Sequence, residues 1–192
     1  MTPSRPQRVL LACYGGGHVQ SLLPLARRLA LRSDIDLTLL PLTTARQAIV
    51  RAGLPALSYT TLLAAIDLPK ANRLLQRAGV RVDGGAGQHA SIPAEETLAY
   101  HAVGLHDLSL DQGEECALKL FAQHGRAVFC PIHSFSAWLA QLAPDLVITS
   151  SSPRSELALQ RAARKLGIAG LAVSDLFLQR EAQYTVSYTH LR

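Results

Sequence analysis

Apolar residues along this chain form short runs and helical stripes that alternate in a regular order. The run at 8–13, "RVLLAC", ends at glycine and predicts a buried strand, as does 36–42, "DLTLLPL". Between them, apolar residues recur with a helical period from 19 to about 31, and a short helix is predicted over 44–52, closed by Gly53. This order of strands and helices predicts right-handed βαβ units and a parallel sheet.

The middle of the chain is less regular. "LPALSY", at 54–59, predicts a third, weaker strand, and residues 62–78 have a helical pattern. A glycine-rich stretch at 83–93, "DGGAGQHASIP", predicts a long loop, which in a compact domain is usually functional or mobile. Residues 95–142 are predicted to be helical in several pieces. We therefore expect an irregular insertion over about 62–142.

The alternating pattern returns in the last third of the chain. "DLVIT", at 145–149, predicts a strand, and "GLAVSDLF" predicts another. The helix between them is expected to start at Pro153, with Ser152 as its N-cap, and to end at Leu166. The predicted fold class is α/β, with a Rossmann-like parallel sheet carrying helices on both faces in one domain over 1–184.

Composition and charge exclude several classes of protein. Apolar residues make up 48% and charged residues 17%, which is typical of a globular domain. The 3 cysteines include no CxxC pair, so neither a disulfide framework nor a zinc site is indicated, and a reducing cytoplasm fits best. The start has no signal-peptide pattern, and no apolar run reaches the ~18 residues of a spanning helix.

The net charge of +5 permits contact with phosphates or with an anionic membrane face, which leaves peripheral contact at the inner membrane open. Aromatic residues make up 5%, and no basic patch is interleaved with them, so nucleic-acid binding is not expected. No metal is expected either, because the histidine and cysteine spacing does not suit a ligand set at His101, His106, Cys130 and His133.

The first strand-to-helix turn carries the candidate chemistry. Gly15, Gly16 and Gly17 allow positive φ and close approach of a ligand, and the helix N-terminus that follows favours an anion such as phosphate. A tight turn with no ligand is the alternative. The loop is not a P-loop, and Gln20 stands where a dinucleotide fingerprint has its third glycine. At a helix N-terminus His18 is expected to be neutral and able to accept a hydroxyl proton, or else only to pack against the turn.

These residues resemble the start of the GT-B glycosyltransferases, which include the UDP-glycosyltransferases and the N-acetylglucosaminyltransferase that acts on lipid I. The resemblance covers residues 8–53 and 144–177, and "PDLVITSSSPRSELALQRAARKLGIAGLAVSDL" is similar to the later strand–loop–helix–strand of the same N-terminal half. Pro24 is displaced from the family's usual proline position. The first motif is carried by Gly16, Gly17, His18, Val19, Pro24 and the helix stripe of Leu25, Ala26 and Leu29.

The resemblance implies an enzyme of two Rossmann-like halves, of which this chain is the N-terminal, acceptor-binding half. It implies transfer of a sugar from a nucleotide sugar, expected to be a UDP-sugar, to an acceptor hydroxyl on a cell-surface glycan or a lipid-linked intermediate. The donor would bind mainly to the missing C-terminal half, and no cofactor or metal is required. His18 would deprotonate the acceptor hydroxyl, and the glycine loop would contact acceptor phosphates.

Other residues are weaker candidates. Ser150, Ser151 and Ser152 follow a strand and precede a helix, where a loop faces the ligand cleft, so they and Arg154 could contact a sugar or phosphate; simple capping is the alternative. Asp107 and Asp111 are candidates for a carboxylate that orients His18, with surface aspartates as the alternative.

Two further functions stay open at this point. UDP-N-acetylglucosamine 2-epimerases share the two-domain fold, although their first loop usually lacks the GGGH pattern. A non-catalytic ligand-binding domain is the other alternative.

The last residues do not follow the α/β pattern. "VSYTHLR" matches one reading frame of a transposon-type sequencing adapter, so 185–192 are predicted to be an artefactual tail on a truncated gene model. A genuine short tail is the alternative, and resequencing the locus with a different library method distinguishes the two.

Overall fold

The computed structural model describes residues 5–81 and 92–174, which form an α/β fold around a four-stranded parallel sheet. The strands are β1 (Gln7–Cys13), β2 (Ile35–Pro41), β3 (Leu146–Ser150) and β4 (Ala169–Val173). Their order in the sheet is β2-β1-β3-β4. Three of these strands lie within a residue of the predicted limits, and the Rossmann-like fold class is confirmed.

Seven α-helices are described. On one side of the sheet lie α1 (Gly17–Ala30) and α2 (Ala45–Arg51), and the chain continues through α3 (Leu68–Arg77) and α4 (Ala94–Gln112). The remaining helices are α5 (Glu114–His124), α6 (Ile132–Leu142) and α7 (Ser155–Lys165).

The two faces of β1 bury alternate side chains in separate cores. Val9, Leu11 and Cys13 pack with the apolar stripes of α1 and α2. Leu10 and Ala12 face the other side, where they join buried residues of α4, α6 and α7. Alternation along a strand that is buried on both faces explains why "VLLAC" is apolar at every position.

The segment predicted as an irregular insertion forms a helical layer over one face of the sheet. Buried residues of α4, Ala99 and Val103, belong to the sheet core, while Leu105 packs with Leu74 of α3 and Phe129 in a smaller cluster. The layer therefore continues the core and places α4 beside the carboxyl end of the sheet.

Two predictions in this region are wrong. Residues 54–58 form no strand; the Leu57 N–H donates to the Leu39 carbonyl at 2.8 Å, and Pro55 has no N–H with which to extend a ladder. The helix predicted over 62–78 is two elements, a 3₁₀ helix at Tyr59–Ala65 and then α3, since Asp67 caps α3 and Pro69 lies in its first turn.

The predicted start of α7 is also wrong. The helix begins at Ser155, and its N-cap position is held by Arg154, whose φ of 67° is unusual for a residue with a side chain. Ser152 and Pro153 therefore belong to the preceding loop.

The greater part of the predicted loop at 83–93 and the predicted tail at 185–192 lie outside the described residues. Within the described ranges, no helix combines the length and apolarity needed to cross a bilayer.

Candidate functional site

Two strand-to-helix loops meet at the carboxyl edge of the sheet. One joins β1 to α1 and contains Gly15, Gly16 and Gly17; the other joins β3 to α7 and contains Ser151 to Arg154. Because β1 and β3 are adjacent and parallel, with Ala12 opposite Thr149, both loops leave the same edge. In α/β folds this edge of the sheet is where ligands bind.

The three glycines have different structural roles. Gly15 is packed against the start of α2, where an added Cβ would lie 2.9 Å from the Thr44 Cβ and 3.1 Å from the Ala45 nitrogen. Gly16 has a φ of 68°, which favours glycine, and Gly17 is the first residue of α1. The close approach that requires Gly15 is therefore to the chain itself, whereas Gly16 and Gly17 are exposed at the edge.

His18 lies in the first turn of α1 and is half-buried. Its Nδ1 atom is buried and has no hydrogen-bond partner within the described part of the chain. A buried imidazole nitrogen without a partner costs free energy, which points to a group held close to it.

Glu156, in the first turn of α7, connects the two loops. Its side chain is fully buried and accepts a hydrogen bond from the Tyr14 N–H at 2.8 Å. The Ser150 hydroxyl lies 2.6 Å from Oε1 and 2.7 Å from Oε2 of the same carboxyl group. The residue before the glycines and the last residue of β3 are thus held by one carboxyl group.

Burial dominates the electrostatics around this carboxyl group. It raises the pKa of Glu156, while hydrogen bonds from Ser150, Tyr14 and Ser152 and the nearby His18 ring lower it. Burial and the Glu156 charge together raise the pKa of the Cys13 thiol to about 12, so this thiol is not a nucleophile. Glu156 is therefore a buried acid that is shared by the two loops and lies near His18.

The structure places the predicted serine and arginine residues in different environments. Ser150 is buried on Glu156, and Ser151 is also buried, so neither is displayed to solvent. The Ser152 backbone, rather than its hydroxyl, contacts Glu156. Arg154 is the one of these four residues that lines the cavity beside the loop.

A cavity of about 230 Å³ lies between the sheet edge and α4. From the edge it is lined by Tyr14, Leu42, Thr43 and Arg154, and from the helical layer chiefly by Tyr59, Glu96, Tyr100, His101 and Arg126. Two of its lining residues, Thr43 and Arg154, have positive φ angles of 55° and 67°. Such backbone conformations in residues with side chains concentrate at binding sites. His18 is not among the lining residues.

Tyrosine rings form much of the cavity wall. The ring centroids of Tyr59 and Tyr100 are 5.6 Å apart, and the Arg154 guanidinium lies 5.6 Å from the Tyr14 ring centroid. The Tyr59 hydroxyl is bonded to Ser155 at 3.3 Å, and burial raises its pKa well above the ordinary value. These tyrosines are therefore neutral donors and apolar surfaces.

The cavity also holds charged and titratable groups. Glu96 is buried and lies 3.5 Å from Arg46, whereas Arg126 and Arg154 form no ion pair within the described ranges. His101 Nδ1 lies 2.8 Å from the Thr97 carbonyl, and burial lowers the pKa of its ring. The unpaired arginines make the cavity suited to an anion.

The two aspartates predicted to orient His18 are engaged elsewhere. Asp107 is buried, which contradicts the surface alternative, and it accepts hydrogen bonds from the backbone N–H groups of His133 and Ser134 at 2.7 and 3.1 Å. It caps the start of α6. Asp111 pairs with the His133 ring at 2.8 Å near the surface.

No group of three or more histidine, cysteine, aspartate or glutamate side chains in residues 5–81 and 92–174 could hold a metal ion.

The residues that the sequence did not reveal come from helices with ordinary patterns. Glu156 occupies a helix first turn, where acidic residues are common, and Tyr100 and Arg126 lie in the segment with no recognisable motif. The signal that could have found Glu156 is its position one turn after a predicted serine loop.

Together the fold and the two loops define a Rossmann-like α/β protein with a candidate ligand site at its carboxyl edge. Comparison with models of known protein families finds no match, and comparison with curated proteins finds none either.

Proposed function

We propose that this chain is the acceptor-binding half of a glycosyltransferase that moves a sugar from a nucleotide-sugar donor, a UDP-sugar, to an acceptor hydroxyl. The observation that carries the proposal is the convergence of the glycine loop and its histidine with the serine loop at one sheet edge. The GGGHV resemblance supports it independently, since the motif lies at the β1–α1 turn, where the family has it. The donor would bind chiefly to a second domain.

In this proposal His18 is the general base. Its helix-first-turn position brings the imidazole to the carboxyl edge, and an imidazole can take the proton of a hydroxyl within ~2.6–3.2 Å. The supporting carboxylate is Glu156, because Asp107 and Asp111 are bound to the start of α6. Proton removal would raise the nucleophilicity of the acceptor oxygen as it bonds to the donor's anomeric carbon. The bond from that carbon to the UDP phosphate oxygen would break in the same transfer, and UDP would leave with its electron pair.

The test compares His18→Gln and His18→Ala in the protein that carries both halves. Loss of a general base lowers kcat by ~10²–10⁴-fold, whereas a histidine that only packs costs stability of about 1 kcal/mol. Both variants should lose turnover of UDP-sugars and melt within a few degrees of the parent. Wild-type kcat in His18→Gln would refute the catalytic role.

Two controls define the class of reaction. The 192-residue chain alone should not turn over any nucleotide sugar, because the donor site is outside it; transfer by this chain alone would contradict the two-half architecture. Product analysis without acceptor separates the alternative, since a 2-epimerase would change the donor sugar's configuration with no acceptor present.

A further inference from the structure

The tyrosine-lined cavity brings three hydrogen-bond donors together, namely the Tyr100 hydroxyl and the guanidinium groups of Arg126 and Arg154. The Tyr100 hydroxyl is buried in the cavity wall, where the Tyr14 side chain is its neighbour. Arg126 and Arg154 line the same cavity and form no ion pair with a described acid. Arg126 is exposed and Arg154 is half-buried, so both guanidinium groups are open to a ligand that enters the cavity.

These three groups line the same cavity. Burial raises the pKa of the Tyr100 hydroxyl, and the charges of Arg154 and Arg126 lower it. The Arg154 guanidinium is also held over the Tyr14 ring at 5.6 Å. Two guanidinium groups and a phenol hydroxyl in one cavity can donate hydrogen bonds to the oxygens of a phosphate or carboxylate.

The rest of the cavity suits a small polar ring. Its volume of about 230 Å³ is below the ~300–1,000 Å³ of sites for drug-sized ligands, so one ring fits better than two. Tyrosine faces provide stacking surface, and Glu96, partly neutralised by Arg46 at 3.5 Å, offers oxygens that accept from hydroxyl groups.

We propose that this cavity binds an anionic monosaccharide, a sugar phosphate or a sugar acid, with its anionic group between Arg126, Arg154 and the Tyr100 hydroxyl. Resting on the proposed function, this ligand is an anionic sugar unit of the acceptor. The hydroxyl that His18 deprotonates belongs to a part of the acceptor outside the cavity, because His18 does not line it. The anion would then contact Arg126 and Tyr100 of the helical layer and Arg154 of the serine loop, and not the glycine loop.

The experiment measures binding of three probes by calorimetry to the 192-residue chain: glucose 6-phosphate, glucuronate and glucose. At least one anionic probe should bind about tenfold or more tightly than glucose, because a charge-assisted contact contributes roughly that factor or more. The anionic probe that binds more tightly shows whether phosphate or carboxylate is preferred. Equal binding of all three, or no binding by any, overturns the proposal.

Variants test the assigned residues. Arg126→Gln and Arg154→Gln should each weaken the anionic probe by about tenfold and leave glucose unchanged, and Tyr100→Phe should weaken it by about threefold. Arg164→Gln is the matched control, since it removes one exposed positive charge from α7 outside the cavity. If Arg164→Gln weakens binding as much as Arg126→Gln, the attraction is only net charge and the site is wrong.

The result is separable from the proposed reaction, because binding needs neither donor nor second domain. Anionic binding that depends on Arg126, with no transfer by the whole protein, refutes the glycosyltransferase and keeps the site. Transfer that is unaffected by Arg126→Gln and Arg154→Gln refutes the site and keeps the enzyme.

Discussion

The two loops at the carboxyl edge of the sheet differ in what they expose and what they bury. The glycine loop has no side chains at its three central positions: Gly16 and Gly17 expose their backbone, and Gly15 packs against Thr44. The serine loop is made of buried side chains, with Ser150 and Glu156 hydrogen-bonded to each other beneath the surface. The first loop therefore presents an open edge, and the second provides the interior that holds it in place.

This difference assigns stability and binding to different residues of the serine loop and the helix that follows it. Glu156 joins the loops through the Tyr14 N–H at 2.8 Å, so the position of the glycine loop depends on the serine loop. Arg154, two residues earlier, points its guanidinium group to the cavity instead. Substitutions in the two loops should accordingly differ in kind, and four measurements test this.

The largest effect is expected at Glu156. Glu156→Ala leaves the Tyr14 N–H and the Ser150 hydroxyl buried without an acceptor, and it opens a cavity, so the free energy of unfolding should fall by about 3 kcal/mol. Urea unfolding measures this. Glu95→Ala, at an exposed first-turn position of α4, is the control and should change stability by less than about 0.5 kcal/mol. Equal losses in both variants would show that Glu156 does not connect the loops.

The same contrast explains what could be predicted from sequence. The glycine loop can be recognised because its backbone conformation and close packing require glycine. The apolar runs around it predict β1, α1 and β2 to within a few residues. Glu156 is not recognisable, because a glutamate in a helix first turn has the same pattern whether it is exposed, like Glu95, or buried.

The cavity could not be predicted for a further reason. Tyr59, Tyr100 and Arg126 come from three helical segments that meet only through tertiary packing, and their spacing in the sequence carries no period. Asp107 shows the same limit from the other side: the sequence left it open as a carboxylate to orient His18 or as a surface residue, whereas it accepts hydrogen bonds from the backbone at the start of α6.

The second prediction concerns the glycines themselves. Gly15→Ala places a methyl group against Thr44 and Ala45, and overpacking of this kind costs about 1–3 kcal/mol. Gly17→Ala should be neutral or stabilising by up to about 1 kcal/mol, because Gly17 is exposed in α1 and alanine favours helix. Thr44→Gly combined with Gly15→Ala should recover part of the loss. Similar destabilisation by Gly17→Ala would mean that the contact with Thr44 is not the reason for Gly15.

A smaller effect is expected from the matched serines of the second loop. Ser150→Ala removes the hydroxyl that donates to Glu156 and should cost about 1–2 kcal/mol. Ser152→Ala should cost less than about 0.5 kcal/mol, because the Ser152 contact with Glu156 is made by its backbone and α7 starts beyond it. A cost at Ser152 that equals the cost at Ser150 would restore Ser152 as a helix cap.

The smallest effect is the pH dependence that Glu156 gives to stability. Burial raises its folded-state pKa above the ordinary 4.5, although hydrogen bonds from Ser150 and Tyr14 oppose the shift. Between the unfolded and the folded pKa, the folded protein keeps a proton that the unfolded chain has lost, so stability falls as pH rises from about 4.5 through that window. Glu156→Gln has no proton to lose, so the difference in unfolding free energy, parent minus variant, should decrease with rising pH and then become constant. A difference that grows with pH would mean that the hydrogen bonds from Ser150 and Tyr14 outweigh burial, and that the glycine loop is held by an ionised carboxylate.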